Sequence, residues 1–255
     1  MFRALRIFVL LTVLVIVGGG TWLTKLRTTS WERPLRVAVF PIDADHSAGT
    51  GRYIRALTAD TYQPVAEFMK QEAARYGLPL NAPVEMYVAP QIGRVPPPPP
   101  FGGNALQVIL WSLQMRYWAW VNGKFDGPPP HARLFILYHD PERVTRVSHS
   151  LGLQKGLIGV VNAFASQDQA AENNVVVAHE LLHTVGATDK YDARTNQPSF
   201  PDGYAEPERE PLLPQEYAEI MAGRVPVSES EADMPRGLEQ VLIGAKTARE
   251  INWLK

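Results

Sequence analysis

Residues 175–189, VVVAHELLHTVGATD, constrain this chain more than any other stretch. An apolar opening followed by polar residues at spacings of one, three and four predicts a helix buried on most of its sides. His179 and His183 stand four residues apart. On an α-helix that spacing leaves two side chains on one face, about 40° apart around the axis and about 6 Å apart along it. Two imidazoles so placed can grip one cation, and Glu180 lies between them. Gly186 follows, and a glycine there can take the positive φ that ends a helix sharply. The fold must therefore bury this helix and bring another ligand to its polar face.

Zinc accepts neutral imidazole nitrogen and asks no redox chemistry of its ligands. A metal lowers the pKa of its water, and Glu180 can take the proton as that water attacks a carbonyl. Two histidines do not complete such a site. Asp189, three residues after Gly186, is placed to swing beneath the ion. Asp192 is an alternative, and Glu206, Glu208 and Glu210 lie further on.

The segment HELLHTVGATD resembles the metzincin clan of zinc metallopeptidases. The clan's motif commonly ends in histidine; Asp189 stands in that place here, as in snapalysin-like variants. The resemblance implies zinc held by His179, His183 and Asp189, Glu180 as general base, and a peptide or protein substrate. It also implies a Met-turn below the metal, for which EIMAG at residues 219–223 offers Met221. The implied fold is α/β (α+β): a twisted mixed sheet with the long active-site helix behind it. A small C-terminal lobe holds the Met-turn and a closing helix at residues 238–254. The strand at residues 156–164 would be the edge that pairs with substrate backbone. Some clan members stabilise the oxyanion with a tyrosine just after the Met-turn. None occupies that place here, and Tyr191, Tyr204 and Tyr217 are the candidates.

Elsewhere, strand and helix patterns alternate. Residues 35–42, 84–90, 132–140 and 155–164 read as strands, with residues 43–51 a turn-rich loop. Residues 61–77 carry Val65, Phe68, Met69 and Tyr76 on one stripe and read as a helix. Ser166 and Gln169 have the spacing of a capping box for the helix that holds the histidines. Two proline runs, residues 96–100 and 128–130, bracket a tryptophan-rich segment, residues 104–123, that reads as an amphipathic helix packed on the sheet, a partner-binding or substrate-lining role being the alternative. Its Gln107, Ser112, Gln114 and Arg116 argue against a membrane span. His46, His131, His139 and His149 read as ordinary surface, loop or strand-end residues. Asp43 and Asp45 read as a solvated loop, with a second cation the weaker alternative.

Residues 7–23 form an apolar run without charge, flanked by Arg3 and Arg6 on one side and Lys25 and Arg27 on the other. That predicts an N-terminal segment, residues 1–34, acting as a membrane anchor, or as a signal peptide removed on secretion. Residues 35–255 then form one catalytic domain outside the cytoplasm. Formal net charge is −1, so no nucleic-acid partner is expected, and the absence of cysteine excludes disulfides, thiolate metal sites and cysteine nucleophiles. Two other functions use the same ligands. One is a non-enzymatic, zinc-stabilised extracytoplasmic binding module. The other is a metal-dependent amidase of a non-protein substrate.

Overall fold

The computed structural model describes residues 29–100, 102–148, 150–153 and 156–255. The expected anchor or signal at residues 1–34 falls almost wholly outside them, as does His149. Among the described residues no helix is long and apolar enough to cross a membrane.

A five-stranded sheet organises the chain. Its strands are β1 (Leu35–Asp43), β2 (Val84–Val88), β3 (Ala132–His139), β4 (Leu151–Leu153) and β5 (Ile158–Phe164), in the order β2-β1-β3-β5-β4. All neighbours are parallel except β4, which runs antiparallel to β5. Parallel strands need crossover helices, which cover both faces, so the central strands carry continuous apolar runs, residues 37–42 in β1 and 134–138 in β3. In β1, Val37 and Val39 point into one core and Ala38, Phe40 and Ile42 into the other. In β3, Leu134 and Ile136 face the first core and Phe135 the second.

Helices α1 (Ala48–Ala56), α2 (Gln63–Arg75) and α4 (Ala170–Val185) lie on the first face, and α3 (Ala105–Asn122) lies on the second. The expected loop at residues 43–51 is shorter than anticipated. Ser47 caps α1 by accepting a hydrogen bond from the Thr50 backbone N–H, and the helix starts at once. The two glycines that made this stretch look like a turn have a packing reason at Gly49. A Cβ there would come within 2.8 Å of Asp140 Oδ2.

Two further expectations need correction. Ser166 and Gln169 form no capping box: Gln169 is itself the N-cap residue of α4 and its side chain makes no cap bond. The strand-to-helix connection is instead tied by Asn173, whose amide both accepts from Phe164 N and donates to Phe164 O. Nor do residues 238–254 form one closing helix. They make a short 3-10 turn, the two-residue strand Val241–Leu242 and the one-turn-and-a-half helix α5 (Ala245–Glu250). The helical pattern fails there because buried carboxylates claim the backbone: Glu72 accepts from Ile243 N and Glu219 from Gly244 N. The C-terminal region also has no core of its own. Ile220, Met221, Ile243 and Ile251 pack in the same cluster as Val177 and Leu181 of α4.

Candidate metal centre

The sheet presents α4 with its polar stripe toward the antiparallel edge. Ten of its sixteen residues are buried, among them Asn173, Glu180 and Thr184 as well as the apolar ones. The helix ends at Gly186, which takes φ +118° in the left-handed region and donates its N–H back to the Leu182 and His183 carbonyls. A side chain at that φ would be strained, so glycine suits the turn.

That reversal brings Asp189 under the two histidines. Asp189 Oδ1 lies 3.2 Å from His179 Nε2 and 3.1 Å from His183 Nε2. The imidazoles themselves stand edge to face, centroids 4.7 Å apart. Each Nδ1 is already committed. His179 Nδ1 donates to the Ile220 carbonyl and His183 Nδ1 to the Ala187 carbonyl, both at 2.9 Å. A carbonyl can only accept, so the Nδ1 proton is fixed and each neutral ring turns an Nε2 lone pair toward Asp189. Two lone pairs facing one carboxylate oxygen repel unless a proton or a cation sits among them. Burial opposes a charge on His179, but the hydrogen bond that the protonated ring donates to Asp189, with Glu180 and Ile220 beside it, outweighs this and raises its pKa. Burial would likewise raise the Asp189 carboxyl; hydrogen bonds from His179 and His183 overcome it and hold the group well below the usual carboxylate range.

Glu180 is the third member of the cluster. Ligand atoms of His179, Glu180 and His183 all lie within 4.8 Å of one another, and the group can hold a metal ion. Glu180 is buried, and among the described residues its Oε2 has no hydrogen-bond partner. Burial raises its pKa, partly offset by the two histidines. A buried carboxylate oxygen left without a donor is costly, which marks it as a group with a ligand to meet.

Much of this geometry is held from the C-terminal region. The backbone of residues 219–223 turns tightly, with Ala222 N and Gly223 N both donating to Glu219 O. The Glu219 carboxylate braces it, accepting from Met221 N, Ala222 N, Gly244 N and the Thr247 hydroxyl. The Ile220 carbonyl at this turn is the one that holds His179. Met221 is fully buried in the main core, and its own carbonyl accepts from Lys190 N. On the other side of Asp189, Glu250 of α5 accepts from Thr188 N, from the Thr188 hydroxyl and from Lys190 Nζ. Both neighbours of Asp189 are thereby clamped to one carboxylate. Glu219 and Glu250 did not stand out in the sequence, because nothing local marks a glutamate whose partners lie far along the chain.

A cleft of about 230 Å³ opens beside the cluster, lined by His179, Glu180, Tyr191, Asn162, Arg146 and Arg224 among others. Its strand edge is not residues 156–164. β5 is covered by β4, so β4 is the edge, and Gly152 is its point of closest approach to α4. A Cβ on Gly152 would sit 2.2 Å from His183 Cβ and 3.1 Å from Glu180 Oε2. Only glycine lets the strand lie against the polar stripe. Three residues with no alternation gave the sequence no strand signal.

The remaining candidates fall away from the cluster. Asp192 uses its carboxylate to accept from Arg194 N, Thr195 N and the Thr195 hydroxyl, closing its own turn. Glu206 pairs with Arg209 and accepts from Glu216 N. Glu208 and Glu210 are not in the cluster either. Tyr191 lines the cleft; Tyr204 and Tyr217 do not. His46 is exposed, His131 Nδ1 accepts from Arg36 N, and His139 pairs with Asn162. Asp43 and Asp45 accept backbone N–H groups within their own loop, and Asp45 also from Asp140 N. A larger hollow of about 600 Å³ between α2 and the start of α4 carries no histidine.

Neither a family model nor a curated protein sequence matches the chain.

Proposed function

We propose that the chain is a zinc-dependent endopeptidase of metzincin-like fold, with His179, His183 and Asp189 as ligands and Glu180 as general base. The observation that carries this reading is the orphaned Glu180 Oε2, buried against two imidazoles whose Nε2 atoms converge on Asp189. A site meant only to staple a fold closes all its positions with ligands, whereas a hydrolytic one keeps a position open beside a base. The donor set suits zinc: two neutral imidazoles and a carboxylate oxygen. When bound, the ion supplies Lewis acidity to a substrate carbonyl and a lowered pKa to a coordinated water.

This chain's residues do the rest. His179 and His183 keep their Nε2 lone pairs inward because the Ile220 and Ala187 carbonyls hold their Nδ1 protons. Glu180, made more basic by burial, takes a proton from the water attacking the scissile carbonyl and delivers it to the departing amine nitrogen. The exposed side of β4 offers backbone groups to an extended peptide. Met221 completes the buried turn that carries the Ile220 carbonyl. Residues 1–34 anchor the domain to a membrane or direct its export.

The decisive test is Glu180→Gln. The amide keeps size and shape but cannot accept the proton, so peptide hydrolysis falls by about 10²–10⁴-fold. Zinc content, measured on the same preparation, stays unchanged. Equal hydrolysis at equal zinc loading removes Glu180 from the mechanism. A wild-type protein that binds zinc but cleaves no peptide library belongs to the scaffold reading, and one that cleaves only non-peptide amides to the amidase reading.

A further inference from the structure

Helix α3 is apolar on both sides. Trp111, Met115 and Ala119 point into the second core, where Trp118 packs edge-on against Phe135. The opposite side should be polar on an ordinary surface helix. Instead Leu106 is 64% exposed, Ile109 56%, Leu113 55%, Tyr117 66% and Trp120 68%, with Leu110 and Val121 beside them. The positions 106, 109, 110, 113, 117 and 120 form one continuous stripe over about four turns. The helix contains no acidic residue. It is also firmly built: Asn104 and Gln107 form a reciprocal capping box, and Trp111 Nε1 donates to the Pro97 carbonyl of the preceding proline run. A rigid, long apolar face of this kind on a described surface calls for an occupant.

We infer that this face lies in the headgroup–acyl boundary of a lipid bilayer. Three observations favour lipid over protein. First, Tyr117 and Trp120 sit at the C-terminal end of the stripe, with Lys124 Nζ 5.7 Å over the Trp120 ring. An amphipathic aromatic with a cation at its rim is suited to the headgroup level. Second, a bilayer is within reach. The apolar run of residues 7–23 precedes the first described residue, Thr29, by only five residues, at most about 20 Å of chain. The chain enters β1 at the same end of the sheet as the α3 C-terminus, where the Gly123 carbonyl accepts from Arg133 Nε. Third, the chain's own apolar run fits the stripe poorly. Trp31 fixes the chain entry in the first core, against Trp253 and the Ile251 carbonyl, on the far side of the sheet from α3. The run of residues 7–23 would have to cross that sheet end to lie along the stripe. The inference does not depend on hydrolysis, and either reading of the metal centre is compatible with it.

The chain has no cysteine, so one introduced thiol labels one position. Leu113→Cys and Trp120→Cys on the stripe, and Lys70→Cys on the exposed side of α2, would each carry an environment-sensitive fluorophore in the full chain. The protein is reconstituted in phosphatidylcholine vesicles with or without a nitroxide on the upper acyl chain. At both stripe positions the emission shifts to the blue and the nitroxide quenches it by about twofold or more, as expected for groups at the acyl boundary; at Lys70→Cys neither happens. Quenching is insensitive to salt, since the contact is apolar. Adding Leu110→Glu and Leu113→Glu to the Trp120→Cys protein abolishes quenching while thermal unfolding is unchanged. Water-like emission at the stripe overturns the inference. So does a blue shift without lipid quenching, which would show the face covered by residues 7–23 or by a second copy. Salt-dependent quenching overturns the apolar basis of the contact.

Discussion

α3 and α4 lie on opposite faces of one sheet and are equally rich in Leu, Val and aromatic or imidazole rings, yet they do opposite things. α4 is buried on nearly every side, and its buried polar side chains are employed: Asn173 and Asn174 hold backbone groups, Thr184 donates to the Leu181 carbonyl, and Glu180 joins His179 and His183 in the candidate metal cluster. α3 is buried along one narrow line, and its apolar side chains face outward. Apolar content is therefore a poor guide to depth. What separates the helices is the destination of their polar atoms.

Substitutions can break or sharpen that contrast, and His183→Ala should have the largest effect. It removes one of the convergent Nε2 atoms, so stoichiometric zinc binding is lost while the α3 probes report an unchanged environment. Retention of one zinc per chain would mean that α4 is merely a buried helix. Met115→Ala on the inner line of α3 empties a fully buried site and should cost about 2–5 kcal/mol in denaturant unfolding. Gly152→Ala drives a methyl into His183 and Glu180; overpacking of this kind costs about 1–3 kcal/mol, and the displaced imidazole should weaken zinc binding as well. A normal affinity in that variant would show that β4 is free to shift. Leu113→Ser on the outer stripe of α3 should change stability by no more than about 0.5 kcal/mol, although it lies two residues from Met115. A large loss there would mean that protein, not solvent or lipid, covers the stripe.

Much of α4 was legible because its signals are local. The histidine spacing, the glycine that ends the helix and the short path to Asp189 are all read within eleven residues. The parallel strands were legible too, since burial on both faces writes an unbroken apolar run into residues 134–138. The reach of α3 was correct within a residue at each end, but not its outer surface. Its mixed sequence reads as amphipathic because the stripe becomes visible only once the inner line is known. What sequence could not supply were partners distant along the chain. β4 is three residues long and is defined by Gly159 opposite Gly152 and by the helix it rests on. The closing helix failed for a similar reason, its backbone being claimed by Glu72 and Glu219.

The bridge from Glu250 to Thr188 and Lys190 has a consequence for how the protein comes into being. Its ends are 62 positions apart for Thr188, so a ribosome has finished Asp189 long before the residue that steadies it exists. During that interval His179, His183 and Asp189 are present without their brace, and the Ile220 carbonyl that orients His179 is itself still to come. A half-made chain thus holds the motif but lacks the geometry. Synthesis order thus withholds the completed His179–His183–Asp189 arrangement until residue 250 has been made.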